Sequence, residues 1–261
     1  MNDYREIEHG FDCLNKAYKN NKDRLFTVCD GMFPGFCEKL EALFNGWLPH
    51  FRSNTYITCV SEHDASEDKY GRLSMWRAYG GVARVAMVFN GGPFLRPSDA
   101  LKANTSPVAY LDDEQFSQEF SALIDSIEGN RDFIFSLGEV SVRSNIFAAF
   151  RHAVLCTKHP GFREEREWRV IYVPSFQKSD RIVSTIESIG GTPQSICKIP
   201  LKNVPEEKLI GLTVPELLDR VIIGPSKFPV GVYDALLALL AEAGVENPAG
   251  KIVVSDLPLR Q

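Results

Sequence analysis

The chain has 261 residues, of which 44% are hydrophobic and 24% charged, so it can bury a real core and is not a disordered tail. A formal net charge of −5 argues against broad non-specific attraction to nucleic acid or anionic membrane, while leaving room for a local basic patch. No apolar run approaches the roughly 20 residues of a membrane-spanning helix, and the polar start Met1-Asn2-Asp3-Tyr4-Arg5-Glu6 is unlike a signal peptide, which points to a bacterial-type cytoplasm and no membrane partner.

Ile7, Phe11, Leu14 and Ala17 recur at three- and four-residue spacing and predict an amphipathic helix over 6–19, with a second over 36–47. Residues 55–60, rich in β-branched and aromatic side chains, read as a buried strand that carries Ser61-Glu62 at its exit. A polar loop over 63–72 precedes a short helix over 73–79 closed by Gly80-Gly81, and a strand over 82–89. Gly91-Gly92 after that strand is no phosphate cradle, because Pro93 follows at once and no helical pattern opens there.

Residues 93–106 read as irregular, 107–110 as a short strand, 114–128 as a helix and 133–156 as one or two helices. Lys158-His159-Pro160-Gly161 breaks the chain before a strand over 168–173. The polar segment 175–195 reads as a long loop or surface excursion, followed by strands over 196–201 and 220–224, a helix over 232–243 and a last strand over 251–254. Strands with helices inserted irregularly favour an α+β fold: a mixed, mostly antiparallel sheet in a single domain over 1–261. The six cysteines show no CxxC pair and no zinc spacing, so they read as buried, reduced thiols, and no metal is expected.

Two places carry candidate chemistry. Glu165 and Glu167 stand two apart at the mouth of a strand and so share a face, where close carboxylates repel: one gains a raised pKa and passes protons while the other stays ionised. The bland reading is that Arg163, Arg166 and Arg169 neutralise them in surface ion pairs worth little. The second place is Ser61-Glu62 with Trp76 and Tyr79: a strand-end hydroxyl that can bond a ligand, and aromatics that stack on flat rings. For Trp76 the packing reading outweighs the stacking one, because aromatics at helical spacing are usually core. His63, beside Asp64, is a loop histidine; His50, His152 and His159 have no partner at metal-ligand spacing, and no GxSxG elbow occurs.

Asn2-Asp3, Cys59-Val60-Ser61-Glu62, Met75-Trp76 with Tyr79, Gly81 leading to Phe89, Lys158 with Glu165-Arg166-Glu167-Trp168-Arg169, and Val221-Ile222-Ile223-Gly224 together resemble the bacterial domain-of-unknown-function family 2971 over most of the chain. Members of that family carry a further stretch with an aromatic-rich first strand ahead of the Asn-Asp motif, so the expectation is a domain lacking that strand. The order of the motifs is similar to that of ADP-ribosyltransferases. That analogy implies an NAD-dependent transferase or NAD-glycohydrolase effector, toxin-like or of phage defence, with NAD as substrate and a protein or nucleic acid as acceptor. By the same analogy Glu167 is the catalytic carboxylate, Glu165 its partner toward the acceptor, Ser61 a support, and Trp76 or Tyr79 the stacking surface, with Glu62 and Arg169 also in the substrate site. The missing strand would hold the NAD ribose, so the resemblance implies weak or no transfer from this chain. The alternative is a non-catalytic binding or regulatory module in which Glu165, Glu167 and Arg169 form an internal salt network. Exposure separates the two, since a transferase needs Glu167 in an open cleft and the module buries or pairs it.

Overall fold

The computed structural model describes residues 5–81, 83–96 and 98–258; Asn2-Asp3 of the N-terminal motif and Val82 of the expected strand lie outside the described residues. Helices α1 (Arg5–Asp30) and α2 (Phe36–Ser53) lead to strand β1 (Tyr56–Ser61), helix α3 (Leu73–Tyr79), strand β2 (Val85–Phe89), the one-turn helix α4 (Gly92–Leu95) and strand β3 (Ala103–Pro107). Strand β4 (Ala109–Tyr110), helices α5 (Asp113–Gly129), α6 (Arg131–Ser136) and α7 (Glu139–Cys156), and strands β5 (Thr157–Lys158) and β6 (Glu167–Tyr172) follow. The chain continues through strands β7 (Val183–Ile189) and β8 (Thr192–Lys198), helix α8 (Val214–Leu217), strand β9 (Leu218–Ile223), helix α9 (Pro229–Glu242) and strand β10 (Ile252–Val254). Helix accounts for 51% and strand for 20%, in several small sheets, which makes the fold α+β.

Two compact units divide the chain: Met1–Val60 with Ser106–Gln177, and Ser61–Thr105 with Lys178–Gln261. The first is built on helices. Phe11, Leu14, Phe44, Phe51, Phe116, Phe120, Phe147 and Phe150, from α1, α2, α5 and α7, form one buried, strongly aromatic core. Its rings meet mostly edge-on or tilted, as in the Phe44–Phe150 pair at 6.1 Å and the Phe120–Phe150 pair at 5.6 Å.

Both N-terminal helices outrun the lengths expected from their sequences. Asn20-Asn21-Lys22-Asp23 reads as an ending, yet α1 continues because Leu25, Val28 and Cys29 carry the buried stripe onward. In α2, Pro49 removes one backbone donor within the helix, but Phe51, 1% exposed, anchors the turn beyond it, and burial of that ring outweighs the lost bond. Where α1 meets α7 the backbones touch: a Cβ on Gly10 would stand 2.2 Å from the Val154 carbonyl oxygen. Only glycine permits that approach.

Strand β6 is the middle strand of a sheet ordered β1-β6-β3, and the short strands β4 and β5 pair in parallel, Ala109 with Thr157 and Tyr110 with Lys158. In the second unit β9 lies between β10, parallel to it, and β2, antiparallel to it. Leu218, Val221, Ile223 and Ile252 from that sheet pack with Leu240 of α9.

Segment 175–195, expected as a long loop or a surface excursion, carries most of an exposed hairpin. Val183 pairs with Lys198 and Ile189 with Thr192, an antiparallel hairpin whose two-residue turn is Gly190-Gly191, with φ of 57° and 82°. A two-residue turn with positive φ at both positions matches the twist of the flanking strands, and the Gly-Gly pair was the available signal for it. The strands themselves are polar and largely exposed, which hid them from a hydrophobic-pattern reading. A short helix, α4, also opens at Gly92 where no helix was expected; it lasts one turn.

Candidate functional site

In the first unit the break after α7 delivers Lys158 on β5, then a tight helical turn over Pro160–Glu165, then Glu167 as the first residue of β6. Arg166 between the two acids takes φ of 45°, the left-handed region, and that reversal lets a turn residue and a strand residue converge on one cation. Lys158 Nζ donates to Glu165 Oε2 at 2.6 Å and to Glu167 Oε2 at 3.0 Å. The other oxygen of Glu167, Oε1, accepts from Arg169 Nε at 2.7 Å. Arg169 is fully buried, and its Nη1 donates at 2.5 Å to the carbonyl of Leu155 in the last turn of α7, one of the acceptors a helix end leaves without an internal partner.

The network continues through the backbone. The Glu167 N–H donates to the Tyr110 hydroxyl at 2.8 Å, and the Val108 N–H donates to the Glu167 carbonyl at 2.9 Å. Arg163, expected to neutralise the acids, donates instead to the Tyr110 carbonyl at 3.1 Å. Lys158 and Arg169, both buried, thus pair with the two glutamates, a burial that the reading of surface ion pairs did not foresee.

Burial opposes charge on Glu167, yet a hydrogen bond from the Cys59 thiol and the cations Arg169 and Lys158 overcome it and hold the carboxyl at about 2. Repulsion between the two glutamates does not govern Glu167, because a lysine sits between them. Burial also raises the hydroxyl of Tyr110, which stays protonated. No disulfide joins the described cysteines: Cys13, Cys29, Cys37 and Cys156 are buried as expected, but Cys59 is exposed and Cys197 half-buried.

The other candidates belong to the second unit. Arg72 donates from Nη1 to Ser61 Oγ at 2.8 Å and from Nη2 to the Glu62 carbonyl at 2.6 Å. The same guanidinium grips both oxygens of Glu67, each at 3.0 Å. His63 Nε2 stands 2.7 Å from Asp68, which also pairs with Arg220 at 2.5 Å. Ser61 is thus held by an arginine eleven positions along the chain, a partner with no periodic signal in the sequence.

Trp76 is a core residue, 5% exposed, and its indole N–H donates to the Tyr70 carbonyl at 2.8 Å. A Cβ on Gly71, whose φ is 66°, would meet that indole at 2.5 Å, and one on Gly224 would meet it at 2.9 Å. Tyr79, by contrast, is 62% exposed. The packing around Trp76 carries a measurable consequence: Gly71→Ala lowers stability by about 2 kcal/mol, read from the urea midpoint, since the side chain both strains the backbone and displaces the ring. An unchanged midpoint would show that the indole is loosely held.

Residues 75–170 match the family model described as Protein of unknown function (DUF2971). No curated protein and no solved structure matches the chain. The matched span holds Trp76, Tyr79, Lys158, Glu165, Glu167 and Arg169, so the buried network falls inside it, while Ser61 and Glu62 lie ahead of it. Among the described residues no helix is long and apolar enough to cross a membrane, and no group of three or more His, Cys, Asp or Glu side chains is arranged to hold a metal ion.

Proposed function

We propose that this chain is a non-catalytic binding or regulatory module in which Lys158, Glu165, Glu167 and Arg169 form a structural salt network. One observation carries the reading: Glu167 is 5% exposed and each of its carboxylate oxygens is engaged by a buried cation. A carboxylate that stabilises an oxocarbenium-like ribose has to face the sugar with an oxygen, and withdrawing Glu167 from Arg169 or Lys158 would strand a buried charge. The network also does structural work suited to a module, since Arg169 ties β6 to the end of α7 and Lys158 ties β5 to the turn before β6.

The opposing reading is an NAD-consuming transferase or glycohydrolase with a protein or nucleic acid acceptor. Incubation of the purified protein with NAD tests the two, with nicotinamide release as the readout. On the module reading, release stays at the level of the buffer for the wild type and for Glu167→Gln alike. Release by the wild type that disappears in Glu167→Gln, with the variant still folded, would establish the transferase in its place.

A further inference from the structure

Two buried arginines of the first unit differ in one respect. Arg169 is matched by Glu167 and the Leu155 carbonyl. Arg151, on α7, is 7% exposed, and no carboxylate or carbonyl among the described residues takes its guanidinium. Its guanidinium carbon lies 4.5 Å from the centre of the Phe176 ring. Phe176 in turn meets Trp47 edge-on, 5.5 Å between ring centres, and is itself half exposed. The turn that carries it is closed by the N–H groups of Phe176 and Gln177, both donating to the Val173 carbonyl at 2.9 and 3.1 Å.

Burial works against the charge on Arg151, and the one group that favours it is the thiol of Cys156, whose own ionisation burial suppresses. A guanidinium cannot shed its proton to escape this position. The guanidinium nitrogens are not among the described fully buried polar atoms that lack a partner, so the edge of the group keeps access to solvent, where a ligand can reach it. Stacking on a ring leaves the edge of a guanidinium with its paired N–H donors, the geometry that accepts a carboxylate or a phosphate two-pronged.

We propose that Arg151 anchors a binding site for a small organic anion, whose carboxylate or phosphate completes the missing ion pair while its flat apolar body packs beside Phe176 and Trp47. The site supplies the ligand class of the module proposed above and so rests on that reading. The anion's affinity comes from the unmatched charge, and the ring contact selects an aromatic body over a bare ion.

Thermal unfolding of the wild type and of Arg151→Met, with sodium benzoate or phenyl phosphate added against sodium chloride of equal ionic strength, tests the site. The wild type is expected to gain several degrees as the anion is raised well beyond its dissociation constant, and Arg151→Met to gain none. Benzoate and phenyl phosphate separate the carboxylate from the phosphate, and acetate and inorganic phosphate are expected to act more weakly than their ringed counterparts. Without added anion, Arg151→Met is expected to unfold at the same temperature as the wild type or higher. A drop in that ligand-free temperature, or equal anion effects on both proteins, would overturn the proposal and make Arg151 a packing residue. Nicotinamide release from NAD, assayed on the same samples, judges the module reading separately: release accompanied by the anion effect removes only that reading, and release without it removes both.

Discussion

Arg169→Met is expected to lower stability by about 3 kcal/mol, because it takes one of two cations from a buried carboxylate and leaves Glu167 matched by Lys158 alone. Arg169 is fully buried, and it serves both Glu167 Oε1 and the Leu155 carbonyl, so the variant strands a carboxylate oxygen and a helix-end carbonyl together. Urea unfolding measures the loss. The triple change of Lys158, Glu167 and Arg169 to apolar residues of similar volume is expected to cost far less than the sum of the single changes, since no buried charge then remains among those three. If Arg169→Met alone costs under about 1 kcal/mol, the network is not structural.

The same carboxylate sets a pH dependence. Glu167 is held at about 2, below its ordinary 4.5, by the Cys59 hydrogen bond and the Arg169 and Lys158 charges acting against burial. A depressed carboxylate contributes stability that is fully present above its unfolded value and is lost as pH falls through its folded value. The contribution is on the order of 3 kcal/mol, and it disappears across the window between about pH 5 and pH 2. Comparison of Glu167→Gln with the wild type in that window isolates it: the variant starts less stable at pH 7, and the gap closes toward pH 2. A gap that is constant with pH would mean that Glu167 is not preferentially ionised in the folded protein.

Gly10→Val is expected to cost about 3 kcal/mol or more, at the upper end of overpacking effects. The added atoms would enter the Val154 carbonyl, 2.2 Å from the first of them, and that obstacle is backbone in the last turn of α7, which cannot rotate aside as a side chain can. The helices would have to separate, loosening the contact of Phe11 and Leu14 with Phe150 and Val154 across the aromatic core. Gly46 of α2, where a Cβ meets nothing within 4 Å, is the control, and Gly46→Ala is expected to be neutral or stabilising. Equal effects at the two glycines, read by calorimetry, would show that α1 and α7 adjust freely at their crossing.

Much of the local structure is legible in the sequence. The helix over 73–79 is realised as Leu73–Tyr79, and the strand expected over 168–173 begins one residue earlier, at Glu167. Both are short elements bounded by clear punctuation, a Gly-Gly pair in one case and Pro160-Gly161 in the other. The helices over 114–128 and 232–243 were equally readable, from apolar residues at three- and four-residue spacing. Where the reading failed, the deciding contact lay elsewhere in the chain. The second half of α1 is held by Leu25 and Val28 against residues of α2, α5 and α7, and the β7–β8 hairpin by mutual pairing of two polar strands.

For the candidate site, the sequence by itself determined that Glu165 and Glu167 would stand close together at a strand entrance among cations, because side-chain alternation and turn chemistry act over a few residues. It did not determine their state. Lys158, seven and nine residues away, comes between the two carboxylates only because β5 pairs with β4 and the turn over Pro160–Glu165 doubles the chain back. Arg169 finds the end of α7, and Arg151 finds Phe176 and no carboxylate, through packing between elements distant in sequence. Which charges are buried, and which are matched, depends on the desolvation and approach of groups that only the tertiary fold brings together, and this is what separates a structural salt network from an open catalytic carboxylate.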